Sequence, residues 1–132
     1  MPVTAALDTE PFVRRAAAEY LADAELLARL CADQDSSVRT AAAESIGRQN
    51  LGLEDTLLPL LSDQVPGVRR AAVTALGNSG RPDVIPALVH CLQDPKPGIR
   101  AAAATVLGKI GGDEVIAALE EAEKAGILFY AE

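Results

Sequence analysis

The chain has 132 residues, one domain's worth, and 49% of them are apolar, yet it holds only two Phe, two Tyr and no Trp, so its core must be built from Ala, Leu, Val and Ile. A formal charge of −7 and a pI near 4.7 argue against electrostatic attraction to nucleic acid or anionic membranes, which needs clustered Lys and Arg. Cys31 and Cys91 stand sixty residues apart, and only His90 neighbours either; this is neither a zinc site nor a disulfide framework, so no metal or cofactor is expected. No apolar run approaches the roughly 20 residues of a membrane span, and no signal-type segment opens the chain, so a cytoplasmic, reducing location is expected.

The first predicted element follows the phrase "DTEPFVRRAAAEYL" from Asp8, and the phrase then recurs: "DQDSSVRTAAAESIG" from Asp33, "DQVPGVRRAAVTALG" from Asp63 and "DPKPGIRAAAATVLG" from Asp94. In each, an arginine follows the aspartate after six residues, giving Asp8 with Arg14, Asp33 with Arg39, Asp63 with Arg69 and Asp94 with Arg100. Helices are predicted to start at Pro11, Ser36, Pro66 and Pro97, because proline loses nothing in a first turn and serine can cap the N–H groups there. Ala-rich sequence carries each helix on, and Gly47, Gly77 and Gly108 are expected to stop the last three. The first copy has Ala22 in place of that glycine.

Between phrases lie second helices: "AELLARLCA" at 24–32, "EDTLLPLLS" at 54–62, "DVIPALVHCL" at 83–92 and "DEVIAALEEAEKAG" at 113–126. Leu27, Leu57, Leu88 and Leu119 share a column, with Leu30, Leu60 and Cys91 three residues on, the spacing of a buried helical stripe. Pro86 falls in a first turn, whereas Pro59 predicts a late start or a kink. Glu120 and Lys124 stand at i, i+4 on the solvated face of the last helix. The chain then ends "ILFYAE", read either as a hydrophobic cap over the last helix or as an anchor for self-association or a partner.

Helix pairs repeated about every 31 residues cannot bury their apolar faces alone and must stack. The pattern D-x5-[VI]-R-x-A-A-x-x-A-[LIV]-G resembles the short HEAT repeat of the PBS-lyase HEAT-like type over residues 8–125; the first repeat, 25 residues from the next phrase, is also similar to the leucine-rich repeat variant. The resemblance implies an all-α, right-handed superhelical solenoid. One domain over 1–132 is expected, with four helix pairs, a last helix at 113–125 and a tail at 126–132. The four Asp–Arg sets are expected to form a structural ladder rather than an anion-binding row, because each charge is balanced locally.

The resemblance also implies that the second helix of each repeat, counted as the one after the Asp-containing turn, lines a concave binding surface. With the core columns of the Ala-rich helices removed, four columns are expected to face outward. They are Arg15, Thr40, Arg70 and Ala101; Ala18, Ala43, Val73 and Ala104; Glu19, Glu44, Thr74 and Thr105; and Arg48, Asn78 and Lys109. This is a narrow strip of small residues flanked by polar ones, suited to a partner helix or extended peptide. The expected function is therefore a non-catalytic scaffold or accessory subunit that binds another protein. Dinuclear iron hydroxylases of similar repeats need repeated His–Glu pairs, and the single histidine rules that reading out. A subunit of a phycobilin-lyase-like or other enzyme complex, active only with a second chain, is the alternative.

Overall fold

A computed structural model describes residues 3–126. After a 3₁₀ turn over Val3–Leu7 come α1 (Pro11–Tyr20), α2 (Ala24–Leu30), α3 (Ser36–Gln49), α4 (Glu54–Leu57), α5 (Pro66–Gly77), α6 (Ile85–His90), α7 (Pro97–Ile110) and α8 (Asp113–Lys124), with no strand among the described residues. The long Ala-rich helices form one row in which α1 packs on α3, α3 on α5 and α5 on α7. The shorter elements form the second row: α2 lies on α3, the segment after α4 on α5, and α8 on both α6 and α7.

Proline opens α1, α5 and α7 at the first helical position, where its missing N–H would have no intrahelical partner. In α3 that position is Ser36, but the cap is the residue before it: Asp35 Oδ1 accepts from Ser37 N at 2.8 Å. Pro59 neither delays the helix nor leaves it α-helical throughout: it changes the kind of helix. The α-helix lasts only over Glu54–Leu57 and gives way to a 3₁₀ helix over Leu58–Ser62 that contains the proline. The short first spacing also has a local cause, since α1 has 10 residues where α3 and α7 have 14, a loss of about one turn.

Gly77 ends α5 as expected, but the other two glycines are not helix stops. Gly47 and Gly108 sit inside helices: α3 continues to Gln49 and ends at left-handed Asn50 (φ 53°), and α7 continues to Ile110 before Gly111 (φ 71°). What Gly47 and Gly77 provide is room. A Cβ on Gly47 would lie 2.7 Å from Cα of Ala75, and one on Gly77 would lie 2.5 Å from Cγ1 of Val106. They are the contact points at which successive Ala-rich helices touch.

The core is one continuous cluster from Ala6 to Ala122. Leu27, Leu57 and Leu88 are buried, as are Leu30, Leu60 and Cys91, while Leu119 is only half-buried. Alanine supplies about a third of the core, which is why the helices can approach so closely. At the start of the stack, Phe12 and Tyr20 are 62% and 72% exposed, because α1 has only the Val3–Leu7 turn beside it and no long helix on that side among the described residues. The tail readings for "ILFYAE" concern residues outside those described.

Candidate interaction surface and the ladder behind it

The six-residue Asp-to-Arg interval closes a turn. Oδ1 of each aspartate accepts from the amide two residues on, at 2.9 Å for Asp8, Asp33, Asp63 and Asp94 alike. The arginine six residues later donates through Nη1 back to the aspartate's own carbonyl, at 2.8 Å from Arg14, Arg39 and Arg69 and 2.7 Å from Arg100. The carboxylate itself pairs with a different arginine. Arg14 forks onto Asp33, Arg39 onto Asp63 and Arg69 onto Asp94, with Nε to Oδ2 at 2.7, 2.8 and 2.8 Å and Nη2 to Oδ1 at 3.0, 3.1 and 3.0 Å. Arg14, Arg39 and Arg69 thus each hold their own turn through its backbone and the next turn through its aspartate side chain, the two-pronged geometry that makes guanidinium–carboxylate pairs strong.

Burial works against charge on Asp33, Asp63 and Asp94, yet the paired guanidinium and the turn amide more than offset it and hold each carboxyl below the ordinary 3.8. A carboxyl whose pKa is lower in the folded chain favours folding wherever it is ionised. That contribution is complete above the ordinary value and is lost as pH falls below it. Urea unfolding followed from pH 7 to pH 2.5 is expected to show stability falling steeply below about pH 4. Asp63→Asn is expected to be less stable at pH 7 and to show a shallower acid decline.

The four outward columns divide into two groups. Ala18, Ala43 and Val73 are fully buried, so that column belongs to the core and not to a binding face; Ala104 is half-buried. The reason is the row itself: α3 and α5 each have an Ala-rich neighbour on two sides and a shorter helix on a third. Thr40 is also half-buried and its hydroxyl donates to Ser36 O at 2.9 Å. The exposed residues are Arg15 and Glu19 on α1, Glu44 and Arg48 on α3, Arg70 and Thr74 on α5 with Asn78 just beyond it, and Thr105 and Lys109 on α7. They form one stripe at i, i+4 spacing that crosses four helices.

Five of them come together. Glu44, Arg48, Arg70, Thr74 and Asn78 rim a hollow of about 600 Å³ between α3 and α5, whose floor is Gly47, Gly67, Ala71 and Ala75. Gly47 therefore serves twice, letting the helices meet and leaving the hollow unobstructed. Arg48 is fixed in place, since its Nη2 donates to Glu19 O at 2.8 Å and to Ser45 Oγ at 2.9 Å. Together with Gln49, which donates to Leu21 O at 2.8 Å, it satisfies carbonyls at the end of α1 that have no acceptor role inside the helix.

Two contacts had no signal in the repeat. Glu54 is buried at the start of α4 and accepts from Arg81 Nη1 at 3.1 Å; Arg81 also pairs with Asp83. Neither Glu54 nor Arg81 recurs at a fixed offset, so alignment of the phrases could not find them. Cys31 and Cys91 are buried, and burial raises both thiols to about 11. Both are expected to resist a thiol reagent such as dithionitrobenzoate at pH 8 and to react within seconds once the chain is unfolded in guanidinium. His90 is exposed, and among the described residues no three His, Cys, Asp or Glu side chains stand where they could share a metal ion.

No described helix is long and apolar enough to cross a membrane. None of the curated proteins matches the sequence. Among solved structures, the fold is similar to the crystal structure of an engineered protein from the Northeast Structural Genomics Consortium, with a TM-score of 0.70 and 23% identity, covering 95% of this chain and 68% of the other. Family models match at two places, the HEAT repeat over residues 25–48 and HEAT repeats over residues 54–125. The side-by-side row of Ala-rich helices and these matches agree, and the chain belongs to the HEAT-repeat family.

Proposed function

We propose that this protein is a non-catalytic interaction module that holds a segment of another protein along the exposed stripe of α1, α3, α5 and α7. Repeat proteins bind through extended surfaces of this kind, made of side chains contributed one or two per helix. The observation that carries the reading is the hollow between α3 and α5. It gathers Glu44, Arg48, Arg70, Thr74 and Asn78 at one place, over a floor without long side chains, where a peptide backbone can approach.

Capture of partners from native lysate tests this reading. Thr74→Trp fills the hollow from an exposed position, and Thr105→Trp obstructs the same stripe on α7. Both variants are expected to keep the wild-type melting temperature and lose the captured protein, whereas Glu120→Trp, exposed on α8, keeps it. Capture unaffected by both stripe variants would remove the stripe as the docking face. Val73 is unsuitable for this experiment because it is fully buried and its replacement disturbs the fold. A purified protein that carried a chromophore or a metal would favour the lyase-like or enzymatic alternative instead.

A further inference from the structure

We infer that the segment held on this stripe is acidic and extended, and that it places a carboxylate in the hollow between Arg48 and Arg70. The inference rests on the stripe being the docking face and adds the chemistry of what docks there. Its basis is an uneven distribution of charge. The chain has 12 Lys and Arg against 19 Asp and Glu, yet the exposed stripe carries four of the cations, Arg15, Arg48, Arg70 and Lys109, and only two of the acids, Glu19 and Glu44. On a protein this acidic, the stripe is a locally cationic band.

The cations of the band are unlike those of the ladder. Arg14, Arg39 and Arg69 spend their charge on Asp33, Asp63 and Asp94. Arg15, Arg70 and Lys109 have no ion pair among the described residues, and Arg48 is engaged only by neutral oxygens, the carbonyl of Glu19 and the hydroxyl of Ser45. Those two contacts fix the guanidinium at the rim before anything binds, which removes part of the ordering cost that a flexible arginine brings. Arg70 faces the same hollow from α5, and Thr74 and Asn78 add side-chain hydrogen-bonding groups beside it. A carboxylate suits this pair: Arg70 can bind it with two parallel N–H donors, while Arg48, whose Nη2 hydrogens are taken by Glu19 and Ser45, adds its charge and single N–H donors from Nε or Nη1. Glu44, on the same rim, disfavours a long run of acids and points to isolated Asp or Glu residues separated by small ones, which the glycine and alanine floor admits.

The net charge of −7 does not repel such a segment strongly. At physiological ionic strength charges are screened beyond about 8 Å, so a bound carboxylate responds to the rim and hardly to the acids elsewhere.

Selection from a random 12-residue peptide library displayed on phage tests the inference without assuming a partner. Enriched peptides are expected to contain Asp or Glu flanked by small residues, to lose at least about tenfold in affinity against Arg70→Glu, and to bind Arg29→Glu like the wild type. Arg29 is exposed on α2, so that variant makes the same change in net charge away from the stripe. Melting temperatures of both variants confirm that they are folded. Enriched peptides that are neutral or basic but are still displaced by Thr74→Trp would overturn the acidic segment and leave the stripe as the docking face. Peptides indifferent to Thr74→Trp would overturn both. Absence of any enriched peptide would count against an extended segment as the ligand.

Discussion

Replacing Gly47 by alanine is expected to destabilise the protein by about 3 kcal/mol, whereas the same replacement at Gly108, its counterpart two phrases later, is expected to stabilise it by about 0.5 kcal/mol. Both glycines lie within helices and neither has a positive φ, so backbone strain contributes nothing to the difference. At Gly47 the added methyl meets Cα of Ala75 at 2.7 Å and its Cβ at 2.8 Å. These atoms are fixed to α5 and no rotamer change can move them, so α3 and α5 must part along their whole contact. At Gly108 nothing lies within 4 Å of the added methyl, and alanine brings only its better helix propensity. Gly77 falls between, because the obstacle is the Val106 side chain, whose branched Cβ allows little rotation within a helix. Urea unfolding of the three alanine variants checks the series, and a Gly47→Ala variant as stable as the wild type would show that the helices are not in this contact.

Arg69→Ala is expected to cost about 2 to 3 kcal/mol, several times the value of an exposed ion pair. The reason is burial and the number of bonds. The side chains of Arg69 and Asp94 are only 12% and 6% exposed, and the guanidinium makes two bonds to the carboxylate and two to carbonyls of its own turn. Removing it leaves Asp94 ionised and nearly enclosed with one remaining donor, the amide of Lys96. Arg69→Lys is expected to recover little, since an ammonium cannot serve both turns as a planar fork does. Arg69→Ala combined with Asp94→Ala should cost less than the sum of the two single changes. The neighbouring Arg70→Ala supplies the contrast: it is exposed, has no ion pair among the described residues, and is expected to change stability by less than about 0.5 kcal/mol. Chemical denaturation at pH 7 measures all of these. An Arg69→Ala loss as small as that of Arg70→Ala would reduce the ladder to a set of surface pairs.

Two adjacent arginines with opposite expectations illustrate what could be read before the fold was known. The repetition of the phrase at a constant six-residue interval separated Arg69 from Arg70 in the sequence, because the interval reflects a turn closed by neighbours and such contacts are local. Proline at the first helical position, the i, i+3 columns of the second helices and the break at Pro59 were legible for the same reason. The comparison of phrases also found the exposed column positions of Arg70, Thr74 and Asn78, one helical turn apart, but set the buried Val73 column among them.

What the sequence by itself determined, then, was the set of local units and the need to stack them: helices of small residues whose apolar faces have no partner within the repeat. The tertiary structure decided which groups meet between units. Asp94 takes Arg69 rather than Arg100 as its carboxylate partner, because the fork reaches forward to the next turn while the backbone contacts reach back. Ala18, Ala43 and Val73 are core rather than surface, because a helix in a row is covered on three sides and keeps one narrow stripe in solvent. Gly47 is a contact point rather than a helix end, and Gly77, which does end α5, is a contact point as well, which depends on how closely two helices pack, and that distance is set by every side chain between them. Periodicity specifies the angle at which a residue leaves its helix; only the assembled stack specifies what stands at that angle.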